Sequence, residues 1–174
     1  MAKYIIMAEE GELGLLAQVQ EQCGISLPVG DGEDEWKIIF TGVGGINIIR
    51  ALQELPRDAE VLNIGYAGSA NFDIGTWVEV TEVRLNHPNV TYPEPRLMLV
   101  DEAQGSELPL EQDTIKAVCY TNTDFVLQSD YKDCVFDMEL AFIAALGFTR
   151  LRSLKYVSDN LSLHAYHDLT HGVE

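Results

Sequence analysis

Three acidic residues, Glu12, Glu139 and Asp159, each stand where an apolar run gives way to a helix or loop. Their settings are Ile5-Ile6-Met7-Ala8-Glu9-Glu10-Gly11-Glu12, Val135-Phe136-Asp137-Met138-Glu139 and Leu154-Lys155-Tyr156-Val157-Ser158-Asp159. Each apolar run reads as a buried strand of a parallel sheet, and ligands of open α/β sheets collect at the carboxyl ends of strands. Three acids far apart in sequence can therefore meet in one pocket. Carboxylates that give and take protons there would suit the breaking of a glycosidic bond, in which the leaving group needs a proton and the sugar cation needs stabilising.

Each acid also has a plainer reading. Glu139 falls in a helix first turn, where the macrodipole favours a negative charge whatever it binds. Glu12 reads equally as a solvated helix residue, and Asp159 as the cap of the turn that follows it.

The elements that must carry these residues are legible from the apolar spacing. Lys3 to Ala8 reads as a strand and Glu10 to Gln22 as a helix with Leu13, Leu16 and Val19 near one face. A strand over Trp36 to Thr41 runs into the turn Gly42-Val43-Gly44-Gly45, a helix from Ile46 to Glu54 stopped by Pro56, and a strand from Val61 to Ile64. That is a βαβ unit. Trp77 to Val83 alternates like a half-exposed strand, so the sheet is expected to be mixed or curled. Pro88, Pro93, Pro95 and Pro109 break up the span Asn86 to Asp113, leaving one short strand at Arg96 to Val100. Ala117 to Tyr120 and Cys134 to Phe136 read as strands, with a short helix at Asp124 to Gln128 between them. Asp137 is placed to cap a helix bearing Ala141, Ile143, Ala144 and Leu146 that ends at Gly147. Leu151 to Val157 is the last strand. The fold class expected is α/β, one domain over residues 1–174 with a mixed, largely parallel central sheet flanked by helices.

Composition removes several classes of function. A chain of 174 residues that is 47% hydrophobic can bury one sizeable core. No apolar stretch approaches a membrane span and no cleavable signal precedes the first strand, so the chain is expected in the cytoplasm, with no membrane partner. Twenty-eight acidic against 11 basic side chains leave a net charge of −17, which would repel a phosphate backbone, so no nucleic-acid partner is expected. Cys23, Cys119 and Cys134 are odd in number and lack CxxC spacing, and are expected as free thiols. The glycine turn matches neither the phosphate-binding P-loop nor the GxGxxG fingerprint. His164, His167 and His171 share helical spacing with Asp168 nearby, but a solvated segment explains them better than a metal site. No cofactor and no metal are assigned.

Read together, these segments resemble the nucleoside phosphorylases and their hydrolytic relatives, the methylthioadenosine/S-adenosylhomocysteine nucleosidases and futalosine hydrolases. The resemblance is carried in order by Ile5 to Glu12, by Gly42-Val43-Gly44-Gly45-Ile46-Asn47, by Asn63-Ile64-Gly65-Tyr66-Ala67-Gly68, by Ile74-Gly75-Thr76-Trp77-Val78, by Asp137-Met138-Glu139 and by Val157-Ser158-Asp159. It runs from about Lys3 to Asn160 and implies a nucleoside phosphorylase-like domain that acts on a small purine nucleoside or thionucleoside. By position it implies that Glu12 orients or deprotonates the attacking water and that Asp159 gives the leaving base a proton at N7. It further implies that Glu139 binds the ribose hydroxyls, Met138 lies against the sugar and Phe125 stacks on the base, with Tyr66, Ala67, Gly68 and Ser158 lining the same site.

The relatives that use phosphate have an arginine where this chain has Asn63, as the nucleosidases do, so water is the implied acceptor. A homodimer is implied too. Two departures stand out. Against the family, the chain is expected to lack a helix between Val100 and Ala117 and most of the final helix after Asp159, and Tyr66 replaces a small residue beside the ribose. They leave open a non-catalytic nucleoside-binding or degenerate module, with a phosphate-dependent phosphorylase as the other alternative.

Overall fold

A computed structural model describes residues 1–86, 97–98 and 114–171. Strand β1 (Lys3–Met7) lies between β2 (Lys37–Phe40) and β3 (Glu60–Gly68), parallel to both, so Ile5 pairs with Ile38 on one side and Leu62 on the other. The crossover from β2 to β3 is helix α2 (Gly45–Leu52), giving the expected βαβ unit with β1 as the strand between its two edges. The α2 N-cap is Gly44 at φ 89°, a left-handed conformation in which a side chain would be strained.

The remaining strands close the sheet on itself. Strand β8 (Arg150–Asp159) runs parallel to β3, and β4 (Trp77–Leu85) lies antiparallel to β8. Strand β4 pairs in turn with β5 (Leu97–Met98) and with β6 (Ile115–Thr121), and β6 with β7 (Cys134–Asp137). Strand β7 returns to β3 through the single antiparallel pair Gly68↔Phe136. The ring β3-β8-β4-β6-β7 is thus a closed, mixed barrel in which most pairings are parallel. Because β3 and β7 overlap only near their carboxyl ends, they meet tail to tail, and residues that follow both strands share one rim.

Alternation along β1 sends Ile6 to one core and Ile5 and Met7 to the other. Ile6 packs with Ile48 and Leu52 of α2 and with Leu140 and Ile143 of α3 (Leu140–Ala145). Ile5 and Met7 pack with Leu15 and Val19 of α1 (Gly14–Gln22) and with Trp36. The three cysteines are buried thiols. Among the described residues no helix is long and apolar enough to cross a membrane.

Several expectations are corrected. The turn Glu10–Leu13 is a 3-10 helix, whose tighter winding shifts the apolar phase, so Leu15 and Val19 are buried whereas Leu13 is exposed. Residues 124–128 form no helix. Strand β3 continues past Ile64 to Gly68 because β8 pairs along its length. Glu79 on β4, expected to alternate outward, is buried by Arg152, whose guanidinium donates to its Oε1 at 2.6 Å. The polar stretch after Asp159 forms helix α4 (Leu163–His171). The helix expected to be missing between Val100 and Ala117 falls mostly outside the described residues, as does most of the span from Asn86 to Asp113.

Candidate active site

Cleft residues come from the carboxyl ends of several strands and from α4. Strand β1 ends into the 3-10 turn that carries Glu9 and Glu12, β3 ends in Tyr66-Ala67-Gly68, β7 ends before Met138 and Glu139, and β8 ends in Ser158-Asp159. These, with Phe125, Val126 and Asp124 after β6 and Tyr166 of α4, line an open cleft. All nine residues singled out from the sequence (Glu12, Asp159, Glu139, Met138, Phe125, Tyr66, Ala67, Gly68 and Ser158) lie on its wall.

Glu12 is turned inward. Its Oε2 accepts from the amides of Ala8 (2.7 Å) and Glu9 (3.3 Å), and its Oε1 accepts from the amide of Tyr66 (3.3 Å). Both oxygens are therefore fixed by backbone, one by its own turn and one by β3. Gly65 makes the approach possible, because a Cβ there would sit 3.1 Å from Glu12 Oε1 and 3.5 Å from Lys155 Nζ. Burial raises the Glu12 pKa, opposed by Lys155 and the three amides.

Asp159 owes its direction to an irregularity. The β3–β8 register shifts after Ala67↔Val157, so that Gly68 pairs with Asp159. A bulge of this kind re-aims side chains, and both Ser158 and Asp159 face the cleft. Ser158 Oγ donates to Asp159 Oδ2 at 2.7 Å and the Leu161 amide donates to Oδ1 at 2.9 Å. Burial nonetheless raises the Asp159 pKa, against these two bonds that favour the anion.

Glu139 follows β7 and precedes α3. Burial, reinforced by the Asp137 charge and countered by Lys155, pushes its pKa up to about 7. The Met138 amide donates to its Oε2 at 3.2 Å. The N-cap of α3 is Glu139 rather than Asp137, which lies two residues earlier; Asp137 Oδ2 still accepts from the Leu140 amide at 2.8 Å, and its Oδ1 accepts the Thr121 hydroxyl.

An aromatic wall completes the cleft. Tyr166 meets Tyr66 edge-on at 6.3 Å and Phe125 at 5.5 Å between ring centroids, and Tyr66 also meets Tyr156 at 6.1 Å. Tyr66 thus lies along the wall, held by its neighbours. Burial pushes the Tyr166 hydroxyl up to about 12, with the Glu12, Glu9 and Glu139 charges adding to it.

Sequence reasoning missed Lys155, Tyr166, Glu9 and Asp124. Lys155 was open to detection as a lone cation inside an apolar strand, and its Nζ lies 3.0 Å from Asp137 Oδ2 with both groups buried. Tyr166 sits in a stretch without apolar periodicity and carried no such signal. His164 Nδ1 contacts Asp168 Oδ2 at 2.9 Å on the exposed side of α4, and among the described residues no three His, Cys, Asp or Glu side chains gather as a metal site. No arginine is among the described residues lining the cleft.

The sequence matches no protein-family model and no curated protein sequence. Solved structures do match. A 5′-methylthioadenosine/S-adenosylhomocysteine nucleosidase from Colwellia psychrerythraea 34H, in complex with adenine, superposes with TM-score 0.71 at 20% identity over 99% of this chain and 89% of that one. The corresponding Streptococcus pneumoniae nucleosidase, with a transition-state inhibitor, gives TM-score 0.71 at 18% identity over 99% and 93%. The Neisseria meningitidis enzyme, with methylthio-immucillin-A, gives 0.70 at 18% over 98% and 92%. With a helix present after Asp159 and coverage this high, the shortened C-terminus expected from the sequence is not shown. In its single α/β domain and mixed sheet, this chain has the fold of the methylthioadenosine/S-adenosylhomocysteine nucleosidases.

Proposed function

We propose that the chain is an N-ribosyl hydrolase that cleaves the glycosidic bond of a purine nucleoside or thionucleoside. The observation that carries this reading is the convergence of Glu12, Glu139 and Asp159 on one aromatic-walled cleft. The complexes of the structural neighbours with adenine and with nucleoside-like inhibitors support the same ligand class.

In this reading Phe125 stacks on the base, Met138 lies against the sugar, and Glu139 accepts hydrogen bonds from the ribose hydroxyls. Tyr66, Ala67, Gly68 and Ser158 shape the wall between them. Asp159, whose raised pKa makes its acid form more available, donates a proton to N7 as the C1′–N9 bond breaks and its electron pair passes to the base. Glu12 holds a water on the sugar, whose oxygen forms the new bond to C1′ while its proton goes to Glu12. Solvent returns a proton to Asp159 and removes one from Glu12, so the net reaction is hydrolysis. Each positioned acid or base contributes about 10² to 10⁴ in rate.

Water is preferred to phosphate as acceptor because a dianion needs cations to hold it, and no described lining residue is an arginine. We also propose a homodimer. Val43, Ile46 and Ile49, in the turn before α2 and on it, are exposed by 41%, 76% and 46%, an apolar face next to the cleft that a second copy would cover.

The test is release of free base from a panel of purine nucleosides and thionucleosides, with and without phosphate. Release that is independent of phosphate and lost in Asp159→Asn supports the hydrolase. Release only with phosphate means a phosphorylase, and none from a folded protein means a binding module.

A further inference from the structure

The chain turns sharply just after Asp159. Leu161 has φ 66°, a left-handed conformation that is strained for a leucine. Among the described residues the other non-glycine residue with positive φ is Asp133, and an aspartate tolerates that region readily. Strain of this kind persists only where the surroundings over-determine it, and it gathers at functional sites. At Leu161 its result is visible: the turn brings the Leu161 amide back to Asp159 Oδ1 at 2.9 Å.

Asn160 holds that turn in place. Its Nδ2 donates to the Ser69 carbonyl at 3.0 Å and to the Phe72 carbonyl at 2.8 Å, so both of its amide hydrogens are used. Those carbonyls belong to the loop after β3, which is itself anchored. Ser69 is fully buried, and its Oγ donates to the Cys134 carbonyl of β7 at 2.9 Å and accepts from the Phe72 amide at 3.1 Å. The Ser69 amide donates to the Asp159 carbonyl at 3.1 Å. Asn71 of the same loop exchanges two bonds of 2.8 Å with Asp133. Asn160 thus ties the segment that follows β8 to a loop already joined to β7. The acid is braced from β3 as well: a Cβ at Gly68 would stand 3.0 Å from Asp159 Oδ1 and 3.1 Å from Leu161 Cδ2. Asn160 itself is exposed, belongs to neither core and does not line the cleft, so its side chain acts on the cleft only through the turn.

We propose that Asn160 is a positioning residue: by clasping the loop after β3 it holds Leu161 in its left-handed turn and so fixes the direction in which Asp159 presents its carboxyl group to the ligand. The inference rests on the hydrolase reading for its consequence in rate, whereas the clasp itself is independent of that reading. Without the two bonds Leu161 relaxes to negative φ, its amide leaves Asp159 Oδ1, and the carboxyl group is free to turn from its place in the cleft.

The experiment compares wild type with Asn160→Ala, Asn160→Asp and the double variant Asn160→Ala/Leu161→Asn. Asn160→Asp keeps the shape of the side chain and turns the donor into an oxygen that faces two carbonyls. In the double variant an asparagine at position 161 favours the left-handed region and keeps the turn without the clasp. In ¹H–¹⁵N spectra of wild type the Leu161 amide shift should follow the ionisation of Asp159 as pH falls. That response should vanish in both single variants and return at position 161 of the double variant. In base release at saturating substrate, kcat should fall about ten- to a hundredfold in both single variants, as expected for a displaced reacting group, with KM little changed and with kcat recovering in the double variant. An amide response that persists in both single variants overturns the proposal. So does a lowered melting temperature with wild-type kcat, which is what a merely structural Asn160 would give. If wild type releases no base, the hydrolase reading fails, and the amide response alone decides whether Asn160 holds the turn.

Discussion

At the scale of single residues, the cleft separates two carboxyl groups that the sequence could only name. Asp159→Asn keeps the shape of the side chain and removes the proton that the proposed hydrolysis takes from it, so kcat should fall by about 10² to 10⁴ with KM little changed. A base-release assay at saturating substrate checks this. Glu139 supplies a second prediction, in stability. Its pKa in the fold is about 7 against the usual 4.5 of a glutamate, so between those values the folded state holds a proton that the unfolded state has lost. Stability attributable to this group is fully present below about pH 4.5 and declines as pH rises through about 7. Thermal melts from pH 4.5 to 8 should show a downward trend that Glu139→Gln flattens, and an equal slope in the variant would assign the trend to other groups.

At the scale of elements, much was readable because strand ends are marked by composition. The apolar runs before Glu12, Glu139 and Asp159 gave β1, β7 and β8 nearly to the residue, whereas the α3 cap expected at Asp137 falls at Glu139. Three features were not readable. The 3-10 turn at Glu10–Leu13 changes the helical phase, and no residue type announces it. The bulge that turns Ser158 and Asp159 into the cleft depends on pairing with a strand about 90 residues earlier in the chain. Tyr166 reaches the cleft because α4 packs back on β8 and the 3-10 turn, a tertiary event. The close approach at Gly65 yields a prediction at this scale. In Gly65→Ala the new Cβ would stand 3.1 Å from Glu12 Oε1, so the carboxylate must give way. A displacement of up to about 1 Å in a reacting group can cost as much as 10² in rate, so kcat should drop about ten- to a hundredfold while the melting temperature moves by only a few degrees. A large fall in melting temperature with intact kcat would locate the strain elsewhere.

At the scale of the whole molecule, charge and surface act together. A chain at −17 with Glu9 and Asp124 at the mouth of the cleft should turn over neutral nucleosides in preference to their 5′-phosphates, and the difference should narrow as salt rises from low to physiological strength. Competition between a nucleoside and its monophosphate at two ionic strengths measures it. The apolar face of α2 makes a second test of the assembly. Light scattering on the purified chain should report a dimer, and Ile46→Glu should shift it toward the monomer, whereas a monomeric wild type would leave that face without the partner proposed.

The position of β8 in the ring has a kinetic consequence. It comes latest in sequence of the described strands, yet it lies between β3 and β4, pairing with both. Neither of those earlier strands can find its full set of partners until residues 150–159 join them, and pairings this distant along a chain are slow to form. Asp159 arrives with that strand, which also carries Leu151, Leu154 and Val157 into the cores, so a refolding molecule should regain its chemistry only as β8 docks. Trp77 packs edge-on against Tyr156 of β8 at 5.3 Å between centroids, which places a fluorescent reporter at the closing step: its signal and the return of activity should share one late rate.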